Sequence, residues 1–367
     1  MTAALPAPPK AATAAAPGAP FGVIGHAGAV AFLQATFAAG RPAHAYLVTG
    51  PAHIGKRRLA RWLAAALVCA PDTPGAAAAG GAAPIGGAGG APCGACRACH
   101  LVAKDTHPDV RLVEPEPGKR GVTIEQVRLL EHAAGLRPYT APRKVFILRG
   151  VDAMPDAAAN ALLKTLEEPP DATVLILTAA DVSQVLPTIA SRCREVALRP
   201  VSPPEIAAAL VARGTAPPEA AKLARLAGGR PGWAVAAVAE PARLAAHAAH
   251  AATLEGVLGQ SPAGRLQVAA GFGDAAAANE MLDRWLGWWR DALLVQQGCV
   301  DLVADTDRLP QLQSVAAALP PEAVWRALAR TQQARQQIDA NVNVRLAVEA
   351  LVLDLPHVPH VSRVVPA

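Results

Sequence analysis

Gly50-Pro51-Ala52-His53-Ile54-Gly55-Lys56-Arg57 sets two glycines and a lysine at the spacing of a phosphate-binding loop. Backbone N–H groups at such a turn point at phosphate oxygens, and the lysine ammonium adds positive charge. The eighth position departs from the pattern. A Ser or Thr hydroxyl there ligates Mg2+, whereas Arg57 offers only donors, so no Mg2+ is expected at this loop. A second metal position fails in the same way. The apolar run Val145-Phe146-Ile147-Leu148 leads into Arg149 and Gly150, where an ATPase presents an Asp–Glu pair to hold Mg2+ and orient the attacking water. Asp152, a little further on, reads as a loop or capping residue and not as a substitute acid. The loop is nucleotide-shaped, with ATP or ADP occupancy left open, but it lacks two parts of a hydrolytic centre. Taken alone, the octet could be a chance glycine-rich turn; its flanks decide the matter.

Cys93, Cys96 and Cys99 bring three thiols onto one tight turn, and Cys69 can supply a fourth. Four cysteinates around Zn2+ make a closed structural site with no position open for a substrate water. Disulfides conflict with a reducing compartment. An iron–sulfur cluster lacks its usual following Cys-Pro, and haem attachment at Cys96-x-x-Cys99-His100 would require export. Zinc is therefore the favoured ion. Cys193 and Cys299 stand apart and read as buried small hydrophobes.

The elements that must position these groups are legible as alternating patterns. Tyr46–Thr49, Val110–Val113, Val145–Leu148, Val174–Thr178 and Val196–Leu198 are short apolar runs that suit buried strands of a parallel sheet. Leu59, Leu63, Ala66 and Leu67 recur at helical spacing directly after the glycine turn. Strand, glycine turn and helix in that order are the phosphate-binding arrangement, and the alternation predicts an α/β class. Beyond Pro200 the strand signals stop. The pair Pro203-Pro204 suits a helix start and Gly228-Gly229 a turn. Met281, Trp285, Trp289 and Leu293 share one helical face, as do Val344, Val348, Leu351 and Leu355, and aromatic stripes of this kind read as core or subunit interface before ligand platform.

With 367 residues the chain is long enough for two or three compact units. Hydrophobic residues make up 52% of it, but the longest apolar runs, such as Leu63 to Ala70, fall well short of a membrane span. The first twenty residues, rich in Ala and Pro, lack the apolar core of a secretory signal and read as a disordered leader, so a cytoplasmic protein is expected. Residues 71–92, nearly all Ala, Gly and Pro, read as a flexible insertion hanging off the surface. The formal charge of +5 suits an anionic partner such as nucleic acid without requiring one.

Asn160-Ala-Leu-Leu-Lys-Thr-Leu-Glu-Glu-Pro-Pro170 resembles, almost letter for letter, a helix shared by the clamp-loader subunits of bacterial DNA polymerase III, an AAA+ family. Ser191-Arg192-Cys193 is similar to that family's SRC motif. By physics alone the first is a helix with Leu162, Leu163 and Leu166 inward and Lys164 and Glu167 outward, stopped by Pro169. The second alone is a basic surface loop. Around Gly229-Arg230-Pro231-Gly232 the chain resembles the delta-prime branch, in which Pro-Gly replaces the stretch carrying a motor subunit's sensor arginine. The closing Asn341-Val-Asn-Val-Arg-Leu segment resembles the family's collar helix.

The resemblance spans about residues 21–355 and includes the cysteine module. It implies a leader over 1–20, an AAA+ α/β domain over 21–199 with the zinc module at 69–99, a helical lid over 200–244 and a helical collar over 245–360. It further implies that Arg192 is an arginine finger reaching the ATP site of an adjacent subunit. The chain itself would have neither ATPase nor polymerase activity. It would join gamma/tau motor subunits and a delta subunit in a hetero-oligomeric ring that loads the sliding clamp on primed DNA, with no membrane partner. Two rivals stay open: an active P-loop ATPase motor that tolerates Arg57 and Arg149, and a zinc-dependent DNA-binding module.

Overall fold

The computed structural model describes residues 21–70, 85–119 and 121–358. The expected leader lies outside the described residues, as does the 71–84 part of the expected insertion. The chain divides into two compact units, one running to Ala216 and including Gly229–Trp233, the other made of Pro217–Gly228 and Ala234 onward.

In the first unit the elements run α1 (Ala27–Ala38), β1 (Ala45–Thr49), α2 (Lys56–Val68), α3 (Arg97–Ala103), β2 (Val110–Val113), α4 (Ile124–Ala134), β3 (Lys144–Arg149), α5 (Asp156–Glu167), β4 (Thr173–Ala179), α6 (Pro187–Ala190), β5 (Arg194–Ala197) and α7 (Pro203–Val211). The strands form one parallel sheet in the order β2-β3-β4-β1-β5. Strands β1 and β4 are buried along their whole length, which is why they read as unbroken apolar runs. Alternate side chains serve opposite faces. Tyr46, Val48, Val145, Ile147, Val174 and Ile176 pack with α1 and α2, while Leu47, Phe146, Leu148, Leu175 and Leu177 pack with α4 and α5. Phe37 of α1 stacks on Trp62 of α2 and meets Tyr46 of β1 edge-on, at centroid distances of 6.4 and 6.3 Å.

Two expectations need correction. The outer strands β2 and β5 are not buried throughout: at the sheet edges only Val113 and Val196 are fully covered. The end of the expected insertion does not hang free. Ile85 is buried in the core, and Gly90 lies so close to α1 that a Cβ there would sit 2.4 Å from the Gln34 carbonyl oxygen. Small residues permit that approach, so the same composition that suggests flexibility here permits close packing.

The second unit is helical: α8 (Pro217–Leu226), most of α9 (Pro231–Ala239), α10 (Pro241–Gly259), α11 (Pro262–Ala269), α12 (Ala275–Gln296), α13 (Leu309–Ala318), α14 (Pro321–Asp339) and α15 (Val344–Asp354). Trp285 and Trp289 of α12 are fully buried, and so is Trp288, which lies off the expected stripe and meets Trp289 edge-on at 5.0 Å. The α12 helix is therefore surrounded rather than merely one-sided. Arg265 is buried and donates to the carbonyls of Val352 (3.0 Å), Pro356 (2.9 Å) and Gln260 (3.2 Å), satisfying groups that the ends of α15 and α10 leave open. Among the described residues no helix is long and apolar enough to cross a membrane.

Candidate functional site

The octet sits where β1 ends and α2 begins, at the carboxyl edge of the sheet. Gly50 has φ of 140°, and a Cβ there would lie 2.8 Å from the Leu198 carbonyl oxygen, so the turn requires glycine. Gly55, also at positive φ, caps the start of α2. The loop is tied from several sides. The Gly50 N–H donates to Ala180 O at 3.2 Å, the His26 ring pairs with the Ile54 carbonyl at 2.9 Å, and the Gly232 N–H donates to the His53 carbonyl.

Lys56 turns back on this loop, donating to the carbonyls of Gly50 and, at 2.9 Å, Pro51. Burial lowers its pKa to about 8; Asp152 opposes that shift and Arg149 adds to it. Asp152 itself accepts the Ala180 N–H at 2.7 Å, a loop role as expected.

Arg57 and Arg149 converge on one acid that the sequence did not single out. Glu114, the residue after β2, pairs with Arg149 and lies 3.9 Å from Arg57, which also stands 3.8 Å from Asp105. The bond from Arg149, stronger here than the opposing burial, holds the Glu114 carboxyl below the usual carboxylate range, helped by Arg57 and Arg61. Where a hydrolytic centre has a cation held by hydroxyl and carboxylate, this chain has two guanidinium groups sharing a carboxylate. The signal for Glu114 was its place directly after a strand end.

The four cysteines meet as expected. Cys69 follows α2, Cys93 stands in the loop before α3, Cys96 is the N-cap of α3 and Cys99 lies in its first turn. Their sulfurs lie within 4.8 Å of one another, with Cys69–Cys96 and Cys93–Cys99 each at 3.9 Å. A tetrahedral ion with bonds of about 2.3 Å to sulfur needs sulfur–sulfur edges of about 3.8 Å, whereas a disulfide needs about 2.05 Å. The donor set therefore fits a four-coordinate metal such as zinc. A hydrogen bond from Cys99 draws the Cys69 thiol below the usual thiol range despite its burial, and the same bond pushes the Cys99 thiol up. A bound cation would favour the thiolate form of all four. Of the remaining cysteines, Cys193 is half-buried, with burial pushing its thiol up to about 12, while Cys299, directly after the left-handed turn at Gly298, is exposed, contrary to expectation.

Arg192 is not part of the phosphate loop's surroundings by topology. Strands β1 and β5 are parallel neighbours with Tyr46 opposite Arg194, so the loop leaves the carboxyl end of β1 while Arg192 precedes the amino end of β5. Its guanidinium donates to Thr188 O at 2.9 Å and to Glu167 Oε1 at 2.6 Å.

Two family models match the chain: "DNA polymerase III, delta subunit" over residues 25–202 and "DNA polymerase III, delta subunit, C terminal" over 253–357. The delta' subunit of DNA polymerase III from Pseudomonas aeruginosa is 46% identical over 151 residues, 41% of this chain and 42% of that protein, so that match spans under half of the relative's length. The delta' subunit from Bacillus subtilis is 28% identical over 325 residues, covering 86% of this chain and 91% of the relative. A gamma subunit-related protein of Thermotoga maritima, 15% identical, aligns over 88% of this chain and 96% of its own with a TM-score of 0.37. On the two matched models and the delta' relatives, the chain belongs to the delta-prime family of DNA polymerase III clamp-loader subunits.

Proposed function

We infer that the chain is a non-hydrolysing member of a DNA polymerase III clamp-loader complex, one that completes a neighbouring subunit's ATP site in place of running its own. The observation that carries this reading is the pairing of Arg57 and Arg149 with Glu114. Fixed positive charge occupies the place of metal ligands, and Lys56 is engaged by the loop's own carbonyls. Mg2+, which would bridge phosphate oxygens and neutralise developing charge, has no oxygen ligands at 57, 149 or 150.

Arg192 is the group offered to the neighbour. Being at the opposite end of the strands from its own loop, it suits a site in trans, where a planar guanidinium neutralises charge on a transferring phosphoryl group. The proposed neighbours are gamma/tau motor subunits, with a delta subunit in the same ring, acting on the sliding clamp and primed DNA. Residues 200–244 would serve as lid and 245–360 as collar. The cysteine module would hold zinc in a structural role, since its ligand set is closed. The test is Mg2+-dependent ATP hydrolysis by the purified chain alone: none is expected, and steady turnover would make it a motor subunit.

A further inference from the structure

Arg192 is exposed but not loose. Nη1 donates to the Thr188 carbonyl at 2.9 Å and lies 3.4 Å from the Ser191 hydroxyl, both on its own turn of chain. Nη2 donates to Glu167 Oε1 at 2.6 Å, and Glu167 is the last residue of α5, 25 positions away in sequence. Tertiary packing of α5 beside α6, rather than local chain geometry, puts this carboxylate on the arginine.

We propose that Glu167 is a displaceable counter-ion for Arg192, masking and aiming the guanidinium until a phosphate group in a neighbouring subunit's site takes its place. The proposal rests on the reading of Arg192 as acting in trans. The two side chains are 36% and 51% exposed, and an ion pair that open to water is weak and readily screened. A polyphosphate presents more charge and a planar pair of acceptors, which a guanidinium binds bidentately. Exchange of one anion for the other needs only a rotation of the Glu167 side chain. The Thr188 and Ser191 contacts lie on the Nη1 side and survive it, so the arginine keeps its direction. Glu167 is accordingly a positioning residue. It touches no nucleotide, and its carboxylate competes with the phosphate for Nη2.

The competition has a sign. Removing the charge while keeping the shape, with Glu167→Gln, lets the phosphate bind Arg192 unopposed. Steady-state ATPase is measured on the reconstituted complex carrying Glu167→Gln, Glu167→Asp, Arg192→Ala or both Glu167→Gln and Arg192→Ala, after thermal melting shows that each chain is folded. The expected result is a rise in kcat/KM of about 2- to 5-fold for Glu167→Gln, chiefly through KM, matching the modest worth of an exposed pair. The gain should shrink as salt rises, be absent in Glu167→Asp, and vanish in the double variant. A Glu167→Gln complex that is unchanged or slower, while Arg192→Ala slows turnover, overturns the counter-ion role and leaves the arginine's role standing. A gain that persists without Arg192 also overturns it. If Arg192→Ala itself changes nothing, the trans-acting reading fails and the counter-ion fails with it.

Discussion

The backbone N–H of Gly232 donates to the His53 carbonyl at 2.8 Å, and a Cβ at position 232 would lie 2.7 Å from that same oxygen. The first turn of α9 thus closes on the phosphate loop at a distance only glycine tolerates. Together with His26 on Ile54 and Lys56 on Pro51, it engages three of the loop's carbonyls. Segments so tied open rarely compared with loops whose polar groups face water. A loop held in this way would suit the proposed role of a fixed part in a moving complex.

Gly232→Ala should lower the melting temperature of the isolated chain. The added methyl must displace backbone, and overpacking of this kind costs about 1–3 kcal/mol. A melting temperature equal to the parent's would show that the turn stands off the loop.

The purified protein should carry about one zinc ion per chain, released by a strong chelator with a fall in melting temperature. Cys69→Ser should reduce the metal content, whereas Cys299→Ser, at an exposed position away from the cluster, should not. Full metal content in the Cys69 variant, measured by elemental analysis, would remove that residue from the ligand set.

Asp109 makes stability pH-dependent. Its side chain is buried, which pushes its pKa up, but N–H bonds from Tyr139 (2.6 Å), Thr140 (2.7 Å) and Ala141 (2.8 Å) outweigh this and hold it below the ordinary range. A carboxyl lowered on folding adds stability above its unfolded pKa of ~3.9, and that contribution is lost as pH falls through and below this value. Asp109→Asn should therefore cost about 1–3 kcal/mol at neutral pH and converge on the parent in acid. Urea unfolding at both pH values checks it; an equal deficit at each would mean that packing, not charge, carries the effect.

The central strands were legible because burial on both faces writes itself as unbroken apolar runs, as in Val174–Thr178, and the turn joining β1 to α2 was legible from its two glycines. The edges were not, because β5 has one unpaired side, and a strand that is mostly exposed there carries Arg194 and Glu195 among its few residues. Cys93, Cys96 and Cys99 were legible as a cluster from their spacing, since a tight turn leaves thiols little choice of direction, whereas Cys69, at the end of α2 and 24 positions before Cys93, joins them through packing. Glu114 and Glu167 were missed as partners for a different reason. Each acid meets an arginine 35 or 25 positions away, and such pairs are set by the packing of sheet and helices rather than by any local pattern. Gly232 was noticed only as part of a Pro-Gly dipeptide. What makes it necessary is the approach of His53, which no sequence window contains.

In the proposed complex ATP is hydrolysed in the neighbouring subunit, and Arg192 takes part. ATP hydrolysis by the reconstituted complex, with and without Arg192→Ala in this chain, tests it most directly. The site served should lose on the order of 10³-fold in rate, so turnover per complex should fall while the complex still assembles. Unchanged turnover in a correctly assembled complex would contradict it.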